Sequence, residues 1–138
     1  MPLKSLIDRR GFATQVLPAV AYTIALFCIG ASHASLNISQ DFVPQDKLNH
    51  FGAFGLLVWL AYRAIRFERT TASSGRIIWA SIAVSSAMGV LLELWQMFFP
   101  YRSAEVADWV ADTLGALVAG YTAHLWLKWR RGRVVARE

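Results

Sequence analysis

The chain has 138 residues, 56% hydrophobic and only 17% charged, with a formal net charge of +5. That length points to a single domain, and a charged fraction well under the roughly 25% of soluble domains excludes an ordinary water-facing surface. The basic residues stand in short clusters between apolar runs and form no RNA- or DNA-binding motif, which excludes nucleic acid as their partner.

A bilayer core about 30 Å thick needs roughly 20 apolar residues of helix at about 1.5 Å each. The N-terminal tail carries Lys4, Arg9 and Arg10, and the first such run follows, from Phe12 to Ala31. Its Cys28 is the single cysteine, so no disulfide framework or multi-cysteine metal site is available, and it reads as a packing residue. A basic start, an apolar stretch and small residues at Ser32 and Ala34 also suit a signal peptide. Cleavage would leave the next hairpin without its preceding span, so this run is read as a retained anchor. Asn37 to Gln45, with Pro44, reads as a loop.

The second span runs from Leu48 to Phe67 and ends in a basic connection, with the polar turn Thr70 to Gly75 ahead of the third span, Ile77 to Phe99. The fourth extends from Trp109 to Trp129 and runs into a basic tail. Backbone amides in lipid must be satisfied within the protein, so the spans are helices. Twelve of the 14 Lys and Arg residues lie in the N-terminal tail, the middle connection (Arg63, Arg66, Arg69, Arg76) and the C-terminal tail (Lys128, Arg130, Arg131, Arg133, Arg137). Only Lys47 and Arg102 fall on the other side. By the positive-inside bias both termini are cytoplasmic. The expected fold is therefore all-α: an integral membrane bundle of four transmembrane helices forming one domain over residues 1–138.

Of the twelve Asp, Glu and His residues, six (Asp46, His50, Glu93, Glu105, Asp108 and Asp112) gather at the outer ends of the second to fourth spans; Asp8, Asp41, Glu68 and Glu138 read as solvated tail or loop residues, and His33 and His124 as interfacial ones near span ends. Glu93 lies seven positions before Pro100, about 10 Å below the end of its span. An ionised group there costs roughly 3 kcal/mol unless paired, protonated or wetted. Gly89, Glu93 and Gln96 share one helix face, as do Asp108, Asp112, Gly115 and Ala119. Gly89 would let a neighbouring helix approach closely. Asp46 is placed to cap the second span, and His50, one turn on, to be oriented by it. Lys47 and Arg102 either neutralise Asp46, Glu105 and Asp108 or form an anion site.

Asp46-Lys47-x-x-His50-Phe51-x-x-Phe54, then Gly89-x-x-x-Glu93-x-x-Gln96, Pro100-x-Arg102, Asp108 and Gly115 together resemble the VanZ-like family of small bacterial membrane proteins, over roughly Asp46 to Gly120. Asp112 departs from the family pattern, which more often has Asn there. The resemblance implies a multi-pass protein of the bacterial plasma membrane, its site on the extracytoplasmic side. The family's namesake is associated with resistance to the glycopeptide antibiotic teicoplanin.

The expected site holds His50, Glu93 and Asp108 as acid/base groups and Lys47, Gln96 and Arg102 as head-group ligands. Asp46, Asp112, Gly89 and Gly115 support them. Its expected ligand is a membrane lipid or lipid-linked envelope precursor with an anionic head group. The carboxylates with His50 could also hold a divalent cation, although no ligand spacing is diagnostic. No Ser elbow, P-loop or His-Glu-x-x-His signature is present. Two other readings compete: a non-catalytic binding or assembly protein whose polar cluster locks the helices together, and a subunit of an oligomeric transporter.

Overall fold

A computed structural model describes residues 3–32, 45–69, 71–100 and 104–135. Among them every regular element is a helix: α1 (Leu3–Gln15), α2 (Leu17–Gly30), α3 (Gln45–Glu68), α4 (Ser74–Gln96) and α5 (Val106–Val135). Of the expected loop Asn37 to Gln45, residues 37–44 with Pro44 lie outside the described residues, as does Arg102, while Gln45 already begins α3.

The first apolar run is divided at Val16, which sequence reading passed over. Pro18 is the cause: it has no N–H to offer the Thr14 carbonyl, so one rung of the helix ladder is lost. Arg63 of α3 fills the gap, its Nη2 donating to Thr14 O at 3.0 Å and its Nε to Gln15 Oε1 at 3.1 Å. One of the basic residues of the middle connection thus ties α3 to the α1–α2 break. α4 starts on a Ser73 N-cap whose hydroxyl accepts from the Arg76 amide.

α3, α4 and α5 form a packed trio, with α3 and α5 in the most extensive contact; α2 lies against α3 and α4. Small residues set the distances. A Cβ on Gly115 would run into the backbone of Phe51, and one on Gly55 would lie 3.3 Å from the Gly115 carbonyl, so α3 and α5 cross nearly backbone to backbone. Toward the start of α4 the trio is filled by Val58, Ile78, Ile82, Ala116 and Ala123. A second apolar cluster, Phe54, Leu57 and Leu92, receives Tyr22, Leu26 and Phe27 from α2.

The outward surface is strongly apolar: Trp79 is 67% exposed, Met97 65% and Phe98 78%. Contiguous apolar exposure of this kind marks an interaction or membrane-facing surface. Two described helical stretches, Arg9–Gly30 and Ser74–Gln96, are long and apolar enough to cross a membrane. α3 and α5, 24 and 30 residues long, have the length for it but carry more charged residues, most of them exposed and toward the helix ends.

Candidate functional site

The trio is polar at one end, where α3 begins, α4 ends and α5 begins. Every fourth residue of α4 from Ser81 faces inward: Ser81, Ser85, Gly89 and Glu93 are all buried. Sequence analysis singled out only the last two. Extending their face two turns back would have found both serines, and Ser85 donates to the Phe54 carbonyl of α3 at 2.9 Å.

His50 is the centre of the site. Its Nδ1 pairs with Asp112 Oδ1 at 2.9 Å, and its Nε2 lies 3.9 Å from Asp108 Oδ2. The imidazole stacks parallel to Phe54, one turn along α3, which fixes the ring plane. The residue that orients His50 is therefore Asp112 across the helix interface, rather than Asp46 on the same helix. Asp46 also lies inside the first turn of α3 instead of preceding it, where an acid suits the helix dipole without capping.

Donor atoms of His50, Glu93 and Asp112 lie within 4.8 Å of one another, as do those of Asp46, His50 and Asp108. Glu93, Asp108 and Asp112 are 7%, 4% and 0% exposed. Glu93 Oε2 accepts the Glu105 amide at 2.8 Å, pinning the start of α5 to the end of α4. Glu93 Oε1 and Asp112 Oδ2 are buried without a hydrogen-bond partner among the described residues. Gly89 makes room for Asp112, because a Cβ there would meet Oδ2 at 2.7 Å.

Lys47 is engaged by acids. Its ammonium bonds Asp108 and, at 2.7 Å, Glu105 Oε2, and stands 3.9 Å from Asp46. Burial disfavours the charge on Lys47, but the hydrogen bonds to Asp108 and Glu105 outweigh it and raise the pKa. The same bond to Lys47 lowers the pKa of Glu105. Gln96 is buried too, but its Nε2 faces Gly30 of α2, 3.3 Å from where a Cβ would stand. It therefore packs between α2 and α4. Two polar contacts escaped sequence analysis, the 2.8 Å bond between Ser86 and Thr113 and the 3.3 Å bond from the Trp109 indole to Ser86.

A cavity of about 550 Å³ at the opposite end of the helices, bounded by Val16, Ile65, Arg69, Arg76 and Ile77, contains none of these groups.

A family model described as VanZ/LLP1 matches residues 10–127. The chain belongs to the VanZ/LLP1 family. The match takes in the first apolar run as well as the His50 and Glu93 segments. No curated protein matches the chain, and no solved structure does. Family membership and the two apolar helical stretches together point to a membrane protein of the cell envelope.

Proposed function

We propose that this VanZ/LLP1 protein crosses the bacterial plasma membrane four times, with both termini in the cytoplasm. Its polar end would open to the outer leaflet and bind the anionic head group of an envelope lipid or polyprenyl-linked precursor. The Lys/Arg distribution supports the orientation, and the length of α3 and α5 supports four spans, with α1 and α2 together forming the first. The observation that carries the site is the convergence of His50, Glu93, Asp108 and Asp112 from three helices, with two buried carboxylate oxygens unsatisfied among the described residues. A cluster serving only to lock helices together would satisfy its own members. In this reading Arg102 and Lys47 would bind the head group, Lys47 from its place between Asp108 and Glu105, and His50 with Glu93 or Asp108 exchanges protons with it. A link to glycopeptide tolerance follows from the family alone.

The competing reading, a structural lock, draws on the cross-helix pairs Lys47–Asp108, His50–Asp112 and Ser86–Thr113. Native mass spectrometry of the full chain in mild detergent separates the two. The expected result is a co-purified phosphate-bearing lipid that is retained by wild type and lost from Arg102→Ala at unchanged melting temperature. A lipid-free protein, or equal retention by the variant, overturns head-group binding. Orientation is checked independently by a cysteine at position 40, expected to be labelled in intact cells, and a reporter after Glu138, expected in the cytoplasm.

A further inference from the structure

The polar end contains more buried negative charge than its described cations can match. Asp46, Glu105 and Asp108 gather around Lys47. One turn deeper, Glu93 and Asp112 share only His50. The oxygens left over, Glu93 Oε1 and Asp112 Oδ2, are buried and have no hydrogen-bond partner among the described residues. A positive ion satisfies both at once.

We infer that His50, Glu93 and Asp112 form a binding site for one divalent transition-metal ion, Zn2+ or Mn2+. Two donors at about 2.1–2.4 Å from one ion stand no more than about 4.8 Å apart, and the donor atoms of these residues meet that limit pairwise. An imidazole with two carboxylates suits Zn2+ or Mn2+ better than Mg2+ or Ca2+, which favour oxygen alone. The ligands are held in advance. The Glu105 amide grips Glu93 by Oε2 and leaves Oε1 for the ion. Gly89 supplies the space in which Asp112 Oδ2 sits. Behind the ring, Asp108 stands 3.9 Å from His50 Nε2 and is itself anchored by Lys47. At that distance Asp108 makes no hydrogen bond and contributes negative charge behind the ring, while Nδ1 stands 2.9 Å from Asp112 Oδ1 and exchanges that hydrogen bond for the ion.

The other donor group, Asp46, His50 and Asp108, already has its cation in Lys47, which leaves the deeper group as the metal site. Three protein ligands leave coordination positions open. That those positions receive a head-group phosphate rests on the function proposed above, whereas metal binding does not.

The test uses the full chain in detergent, stripped with a chelator and free of added lipid, so that its outcome does not depend on head-group binding. Zn2+ and Mn2+ alone are titrated by calorimetry, stoichiometry is measured by elemental analysis, and melting temperature is recorded. The expected result is saturable binding of one ion per chain with a rise in melting temperature. Asp112→Asn and Glu93→Gln, which keep side-chain volume, should each weaken binding about a hundredfold, and Asp108→Asn about tenfold. Absence of saturable binding by wild type overturns the site. So does binding of equal strength in folded Glu93→Gln and Asp112→Asn.

Discussion

The two ends of the α3–α4–α5 trio are packed by the same device and filled with opposite chemistry. At the apolar end Gly120 admits the Ile82 side chain, and the space is closed by Val58, Ile78 and Ala116. At the polar end Gly89 admits a carboxylate, and the space is closed by His50 and Glu93. Dispersion and apolar burial hold the first end without directional demands. The second needs each polar atom matched, and among the described residues two are not. Stability therefore resides chiefly in the apolar end and in the crossing that joins the two ends. The polar end retains arrangements that packing alone would not select, as sites shaped for function do.

The largest expected effect lies at that crossing. Gly115→Ala drives a methyl into the Phe51 backbone, which has no rotamer to escape by, and should destabilise the chain by about 3 kcal/mol. Gly120→Ala meets side-chain rather than backbone atoms, Ile82 Cδ1 and Cγ1 with Ile78 Cγ2 beyond, and should cost less, about 2 kcal/mol. Thermal unfolding in detergent compares the two. Equal losses would mean that α3 and α5 are not held by backbone proximity.

Glu93→Gln sharpens the contrast from the polar side. It preserves volume and can still accept the Glu105 amide, so stability should change by less than about 1 kcal/mol or rise slightly. Function should fall, read as an envelope-stress or antibiotic-tolerance phenotype in cells relying on the variant. An unchanged phenotype, or a variant that simply unfolds, would place Glu93 with the scaffold.

The smallest effect concerns pH. Glu105 has its folded pKa lowered below 4.5 by Lys47, so its contribution is present above the unfolded value and is lost as pH falls through the folded one. Glu105 is half exposed, which keeps the loss slight. Melting temperature should thus decline a little more steeply below pH 4.5 in wild type than in Glu105→Gln. Parallel curves would show that the Lys47–Glu105 pair carries no stability.

Much of this contrast was legible in the residues. Spacing placed Glu93 with Gly89 and Asp108 with Asp112 on common faces, and span ends placed all four near His50. Helix-face arithmetic says which side chains travel together; it does not say which neighbour they meet. Gln96 shows the difference, since it faces α2 although it lies on the Glu93 helix. Asp46 shows it as well. Its spacing from His50 is right for an orienting bond, yet Asp112, arriving from another helix, makes that bond. The break at Val16 was legible in Pro18, but its repair by Arg63 depends on how α3 lies against α1, which no local pattern encodes.

Glu93 has one oxygen turned to the site and the other clamped on the Glu105 amide. Twelve residues of sequence separation are thereby drawn into a ring closed by a single side chain, and Arg102 belongs to that ring. Site and ring share one fastener. Whatever engages Glu93 from within alters the grip on the connection, and whatever binds the connection alters Glu93 to the same thermodynamic extent. Solvent exchange of the Glu105 amide would then report occupancy of the site through the oxygen of Glu93 that faces away from it.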